Sequence, residues 1–355
     1  MPLTRRKFLQ AGLAAGLAPA VLAACGRPAG TGDAAQTITM VSWGGTTQTG
    51  LQQAVAAPFQ KVSGIPVRVT APVDYGKYLA QIKSGNLTWD WVDIEGWFAV
   101  AHKDDWDLLP ASLTANASGL VQLPRGPKAG EPWGVENGSY SFAIAYRTDH
   151  EGPHPKSWRE FFDPGAIPGK RSIYNYPYGM LEVALLADGV PFESLYPLDV
   201  DRAIKKLDSV RSSLVFWNSG AELQQQLQSG AAPFAFAWNN RVAELAQQGQ
   251  PVAIEWAQNL QDLSYDVIPK VSTKKANLTK LLEFRLKPEN QLPYALATGY
   301  SPPTTAAMAQ IPAAKAQWFN AYPPNLRQAA GSIDLDWWAT NFDDATKKWD
   351  AWASA

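Results

Sequence analysis

Two carboxylates and a scatter of aromatic rings are the residues best suited to hold a charged small molecule. Glu95 closes the run Trp89-Asp90-Trp91-Val92-Asp93-Ile94, and Glu182 sits at the start of the apolar run Leu181 to Leu186. Trp43 follows the apolar run Ile38 to Val41 and is followed in turn by Gly44, Gly45 and Thr46. Trp238 ends the run Pro233 to Ala237 and precedes Asn239. Tyr174, Tyr176 and Tyr178 alternate, so an extended backbone puts them on one face, with Pro177 disturbing it. Trp and Tyr faces attract an ammonium group by about 0.5–2 kcal/mol each. A carboxylate then fixes it by a charge-assisted hydrogen bond. The set suits a cation with apolar segments, and the backbone N–H groups of Gly44, Gly45 and Thr46, at a helix N-terminus, suit an anionic or hydroxyl end. Each residue also has a structural role open to it: Glu95 as a strut, Glu182 as a first-turn acid favouring the helix dipole. Trp337, Trp338, Trp349 and Trp352 read as packing of a C-terminal helix.

Other chemistries find little support. His102, His150 and His154 have no Cys, Asp or Glu at metal-ligand spacing, so no metal site and no cofactor is expected. No Gly-x-Ser-x-Gly elbow occurs. Gly169-Lys170-Arg171-Ser172 lacks the leading glycine of a phosphate loop, since Pro164 stands in its place. An acid/base pair from Glu95 and Glu182 is the enzymatic alternative.

The N-terminus speaks for export. Thr4-Arg5-Arg6-Lys7-Phe8-Leu9-Gln10 has the form of a twin-arginine signal, and the apolar run Ala11 to Ala24 is too short to span a bilayer stably. It ends Leu22-Ala23-Ala24-Cys25, a lipobox in which the thiol of Cys25 accepts lipid. Cys25 is the single cysteine of 355 residues, which excludes an internal disulfide. Removing residues 1–24 takes away Arg5, Arg6 and Lys7 and no acid, so 31 basic side chains fall to 28 against 32 acidic, a formal charge of −4. That balance, with no basic stripe, excludes nucleic acid as a partner. Residues 25–36 have the composition of a flexible tether. The expected product is an exported lipoprotein facing the periplasm or the cell exterior.

The elements that must position these residues alternate strand and helix, the mark of an α/β architecture. Strands are expected at Ile38–Val41, Val67–Thr70, Trp91–Ile94, Tyr140–Tyr146, Pro233–Trp238 and Tyr265–Pro269. Helices are expected at Tyr75–Ser84, Ser157–Phe162, Met180–Ala187, Val200–Val210, Ala221–Ser229, Asn240–Gln247 and Leu278–Leu286. A further helix carries Leu51, Ala54, Val55 and Phe59, capped by Thr46 or Thr47, and Asp199 or Asp201 caps the helix at Val200. Two crossings divide the chain into one lobe of 37–142 and 267–298 and a second of 143–266, with 299–355 packing on both. Small-molecule sites favour such an interface.

These pieces come in a recognisable order: SWGG after the first strand, WDWVDIEG (89–96), IAYRTD (144–149), PKSWREFFDP (155–164), PGKRSIY (168–174), LEVALLADGV (181–190), AWNNR (237–241), YDVIPK (265–270) and a Trp-rich close (336–352). Together they resemble the extracellular solute-binding proteins of ABC importers, in the polyamine (spermidine/putrescine) branch. The resemblance implies a two-lobed periplasmic-binding-protein fold of the type II kind, with a hinge and an interlobe ligand cleft. It implies a monomer that captures a small cationic or zwitterionic solute and docks on a membrane permease, with no enzymatic activity. The implied ligand-binding set is Trp43, Gly44, Gly45, Thr46, Glu95, Tyr176, Tyr178, Glu182, Trp238, Asn239 and Asp262. A ferric receptor of the same fold, drawing phenolates from Tyr174, Tyr176 and Tyr178, is the variant. The polyamine binders carry an acid at the second crossing where this chain has Ser264, with Asp262 or Asp266 as the nearest substitutes. Tyr176 and Gly179 likewise replace acids near the helix that Glu182 opens. The missing acids point to a ligand with one cationic end and a polar or neutral other end, a modified amine or a zwitterion.

Overall fold

The computed structural model describes residues 36–114, 119–124 and 131–355. The leader, Cys25 and the tether up to residue 35 lie outside the described residues. The first lobe opens with the buried strand β1 (Ile38–Val41), which pairs in parallel with β2 (Val67–Thr70) and β3 (Trp91–Val92). Between β1 and β2 runs a helix, α1, in three parts: Gly45–Leu51, a π-helical turn Gln52–Ala56, and Ala57–Ser63. Its N-cap is Gly44, with no side-chain cap, so neither Thr46 nor Thr47 caps it as expected. Gly44 has φ 84, a conformation that glycine alone adopts without steric cost, and the chain turns from strand to helix there. α2 (Tyr75–Ser84) starts at an Asp74 cap whose side chain accepts from the Lys77 N–H. After Asp93 the chain leaves the first sheet, and β4 (Ile94–Glu95) joins the second, leading into α3 (Gly96–Ala101).

Two long strands form the backbone of the second sheet. β5 (Gly134–Arg147) and β9 (Val252–Val267) run antiparallel from Gly134↔Val267 to Arg147↔Val252. Their register breaks twice, between Glu136 and Gly138 and between Phe142 and Ile144. β5 extends beyond the expected 140–146, while β9 begins at Val252, well ahead of the expected 265–269, and ends at Val267. In particular, residues 252–264 alternate too many Gln, Asn and Asp with apolar residues to read as a strand. β6 (Arg171–Tyr174), β7 (Leu214–Trp217) and β8 (Phe234–Trp238) complete the sheet, in the order β10-β9-β5-β8-β6-β7 with β10 at Gly331–Ser332. β6 runs parallel to β7 and to β8, so Tyr174, Trp217 and Trp238 all stand at carboxyl ends.

The second lobe's helices are α4 (Met180–Ala187), buried along its whole length, α5 (Val200–Asp208), α6 (Gly220–Ser229) and α7 (Asn239–Gln247). Asp199 caps α5 through the Arg202 N–H, as expected. After β9, α8 (Lys275–Arg285) and α9 (Pro288–Thr298) return to the first lobe, where Leu278, Leu281 and Leu282 share a core with Ile38, Leu51 and Trp91. The C-terminal helix α10 (Leu335–Ala353) touches both lobes: Phe342 stacks on Trp97 at 3.8 Å, and Trp352 Nε1 donates to Asp208 at 3.1 Å. Its Trp338 and Trp349 are buried.

Candidate functional site

A cavity of about 270 Å³ opens between the lobes. The first lobe lines it with Trp43, Pro72, Val73 and Glu95, and the second with Tyr174, Asn218, Ser219, Gly220, Trp238, Asn240 and Arg241. Tyr140 and Ser264 come from the crossing strands, and Tyr300 follows α9. Trp43, Glu95 and Trp238 are thus the expected site residues that line the cavity directly.

Each wall follows from the topology. The parallel strands β6, β7 and β8 end together, so Tyr174 stacks on Trp217 at 4.2 Å and meets Trp238 edge-on at 5.1 Å. Ligands gather at the carboxyl ends of strands in open α/β sheets. On the other side Trp43 packs edge-on to Tyr75 at 5.8 Å. Glu95 ends β4 opposite Ser264 of β9. Its Oε2 accepts from Trp97 Nε1 at 3.0 Å and from the Tyr75 hydroxyl at 3.2 Å, which fixes the carboxylate against the wall. Burial pushes the Glu95 carboxyl up to about 7, and neighbouring Asp262 pushes the same way, while the bonds from Trp97 and Tyr75 oppose it. A half-buried acid with several aromatic neighbours and a raised pKa is a site primed for a cation.

The second charged group is Arg241, which the sequence reading missed. It lies in the first turn of α7 and is 8% exposed. Its Nε packs over Gly220 at the start of α6, and a Cβ on Gly220 would lie 2.6 Å from that nitrogen. The guanidinium therefore sits beside the N-termini of two helices, where the helix dipole disfavours a cation. Glu244, 3.6 Å from Nη1, offsets part of that charge. The Arg241 Nε is buried and has no hydrogen-bond partner among the described residues. A donor left in that state costs about 1–3 kcal/mol. Two helix N-termini, a guanidinium and an orphaned N–H together make a seat for an anion. The motif AWNNR carried the signal: a basic residue in a first helical turn runs against the dipole.

The other expected residues are placed around the cavity without lining it. Gly44, Gly45 and Thr46 follow the lining residue Trp43, with Thr46 Oγ1 donating to Glu244 Oε2 at 3.0 Å. Tyr176 lies behind Tyr174 at 5.2 Å. Tyr178 is buried and packs on Phe142 and Trp338. Glu182 is fully buried and accepts from the Tyr196 hydroxyl at 2.7 Å and Trp338 Nε1 at 2.6 Å, so it ties α4 to α10 and does not meet Glu95 across the cleft. Asn239 is a strut: Oδ1 accepts from the Ser141 N–H at 2.8 Å and Nδ2 donates to the Trp318 carbonyl at 2.9 Å. Asp262 accepts from the Tyr140 hydroxyl at 2.6 Å and the Leu263 N–H at 2.8 Å. Asp266 accepts from Trp91, Asn137 and Arg285. Neither Asp262 nor Asp266 takes the place of the crossing acid, and Ser264 itself faces the cavity.

Burial raises the phenols of Tyr174, Tyr176 and Tyr178, which opposes the phenolates that a ferric site needs. Among the described residues no group of three or more His, Cys, Asp and Glu is placed to hold a metal ion.

Two α/β lobes joined by long crossing strands over a charged, aromatic cavity define a receptor of the periplasmic-binding-protein fold. The chain belongs to the bacterial extracellular solute-binding protein family, whose profile matches residues 54–323. A gamma-aminobutyric acid-binding protein of Pseudomonas aeruginosa is 28% identical over 338 residues, 90% of this chain and 91% of that one. A solved GABA receptor is 35% identical with a TM-score of 0.80, covering 89% of this chain and 97% of its own. A binding protein of A. tumefaciens solved in complex with glucopine is 26% identical with a TM-score of 0.78, covering 89% and 99%. The family expectation stands at this broader level, and these relatives lend no support to the polyamine branch.

Proposed function

We propose that the cleft captures a short zwitterion, an ammonium and a carboxylate separated by a few methylenes, and hands it to an ABC permease. The observation that carries this reading is Arg241, a buried cation with an unpaired Nε on the second lobe's wall, while Glu95 supplies the opposite charge from the first lobe. One ligand pairing with both draws the lobes together. The methylenes lie against Trp43, Tyr174 and Trp238. The cavity volume of about 270 Å³ is at the small end for ligand sites, which suits a compact amino acid. GABA has this chemistry, and two relatives are named for it.

A polyamine is the second reading, favoured by the aromatic walls and Glu95. It would place an ammonium beside Arg241, and an unpaired buried charge costs several kcal/mol. Calorimetry with GABA, putrescine and spermidine separates the two. GABA is expected to bind at least about 100-fold more tightly than either amine, and Arg241→Gln to remove that preference by weakening GABA alone by roughly 2–4 kcal/mol. Tight spermidine binding that Arg241→Gln leaves unchanged or improves would establish the polyamine reading in its place. In the cell the receptor is exported and held at a membrane by lipid on Cys25. Among the described residues no helix is long and apolar enough to cross one.

A further inference from the structure

We infer that Thr46, Glu244 and Arg241 form a latch between the lobes, in which Thr46 is a positioning residue that sets how long the ligand stays bound. This rests on the reading that Arg241 receives the ligand's anionic end. Thr46 belongs to the first lobe, at the start of α1, and the other two to α7 of the second. The Thr46 hydroxyl donates to Glu244 Oε2 at 3.0 Å and accepts from Arg241 Nη1 at 3.3 Å. A hydroxyl can donate and accept at once, so one side chain engages both members of a charged pair on the opposite lobe.

The pair is held in place for this contact. Gln224 of α6 donates to the same Glu244 oxygen at 2.9 Å and to the Arg241 carbonyl at 3.2 Å. Gly45, at φ 60, leaves room for the guanidinium, since a Cβ there would lie 3.3 Å from Nη1. The contact is made only when the lobes meet, because all of its other members sit on the second lobe. Hydrogen bonds to charged groups are the stronger ones. Of the three latch residues, Arg241 lines the cavity and Thr46 and Glu244 do not. An anion that fixes Arg241 therefore also fixes the group Thr46 must find, and the latch slows reopening without contributing to first encounter.

Dissociation and association rates, followed by intrinsic tryptophan fluorescence in stopped flow on the full chain with GABA and with putrescine, test this. Thr46→Val keeps the shape and removes the hydroxyl. It is expected to speed release about tenfold, the size of one hydrogen bond to a charged group, with the association rate changed less than about twofold. Thr46→Ser is expected to restore slow release, which a loss of packing alone would not allow. Unchanged release in Thr46→Val, or release equally fast in Thr46→Ser, overturns the latch. The two readings fail separately. If Arg241→Gln leaves GABA affinity intact, the carboxylate assignment fails. The effect of Thr46→Val on whichever of the two ligands binds then still decides the latch.

Discussion

An ammonium can be held by Glu95 only when that carboxyl is ionised, and its pKa of about 7 makes this a matter of ordinary pH. The raised value comes first from burial and then from the charge on Asp262. Below pH 7 the empty site carries a proton that the ligand must expel, so affinity falls as pH falls. The expected slope is about tenfold in Kd per pH unit between roughly pH 7 and pH 5, flattening above about pH 8. Calorimetry across that range, in two buffers of different ionisation enthalpy, should detect proton release on binding. Glu95→Gln should weaken GABA about 100-fold at neutral pH and remove the slope; a slope that persists would assign it to another buried carboxyl, such as Asp262, which burial also pushes up to about 7. At this scale the sequence was half legible. Glu95 and Trp238 end β4 and β8, and Trp43 follows β1 by two residues, so all three stand at the ends of apolar runs, where the carboxyl ends of strands meet the cleft. Tyr140 and Ser264 lie inside the crossing strands, and which of their alternating positions faces the ligand depends on register, which is not written locally. Glu182 drew attention as an acid in an apolar helix, yet its partners Tyr196 and Trp338 are 14 and 156 residues away.

Among the elements, most helices were legible from local chemistry, apart from α3 and α9, and the long strands were not. Asp74, Asp199 and Ser219 each accept from a backbone N–H three residues on, a signal contained within four residues. β9 is different. Its polar side chains are satisfied by distant partners, such as Gln261 with Asn320 and Asp266 with Arg285, so they did not announce a buried strand. The Asp266 junction binds three elements of the first lobe. Its carboxylate accepts from Trp91 Nε1 at 2.7 Å, Asn137 Nδ2 at 3.0 Å and Arg285 Nε at 2.9 Å. Arg285 is 7% exposed and lies over the Trp91 and Tyr294 rings. Removing the acid leaves that guanidinium buried and unpaired. Asp266→Ala is expected to cost about 3–5 kcal/mol, read as a lower urea midpoint. A loss under about 1 kcal/mol would mean that the guanidinium finds water or another acceptor.

For the whole molecule, the two-lobed plan was legible because motifs in a fixed order span most of the chain. The N-terminal expectation has its own test. Cys25→Ala should move the protein from the membrane to the soluble fraction, since a lipobox cysteine receives more than one acyl chain and a single chain binds only marginally. Retention of the variant after a high-salt wash would place the anchor elsewhere. The crossing strands β5 and β9 join the lobes. They are laced edge to edge along their length, apart from the register breaks at Glu136/Gly138 and Phe142/Ile144. Two separate cords would let the lobes slide, splay or rotate at will. A laced ribbon resists shear and stretch but folds where the lacing is interrupted, as a sheet of card folds along a scored line. The two scores lie on either side of Tyr140, and Tyr140 faces the cavity. The interruptions and the cavity thus share one address, so a molecule seated there lies beside the line along which the ribbon bends most easily.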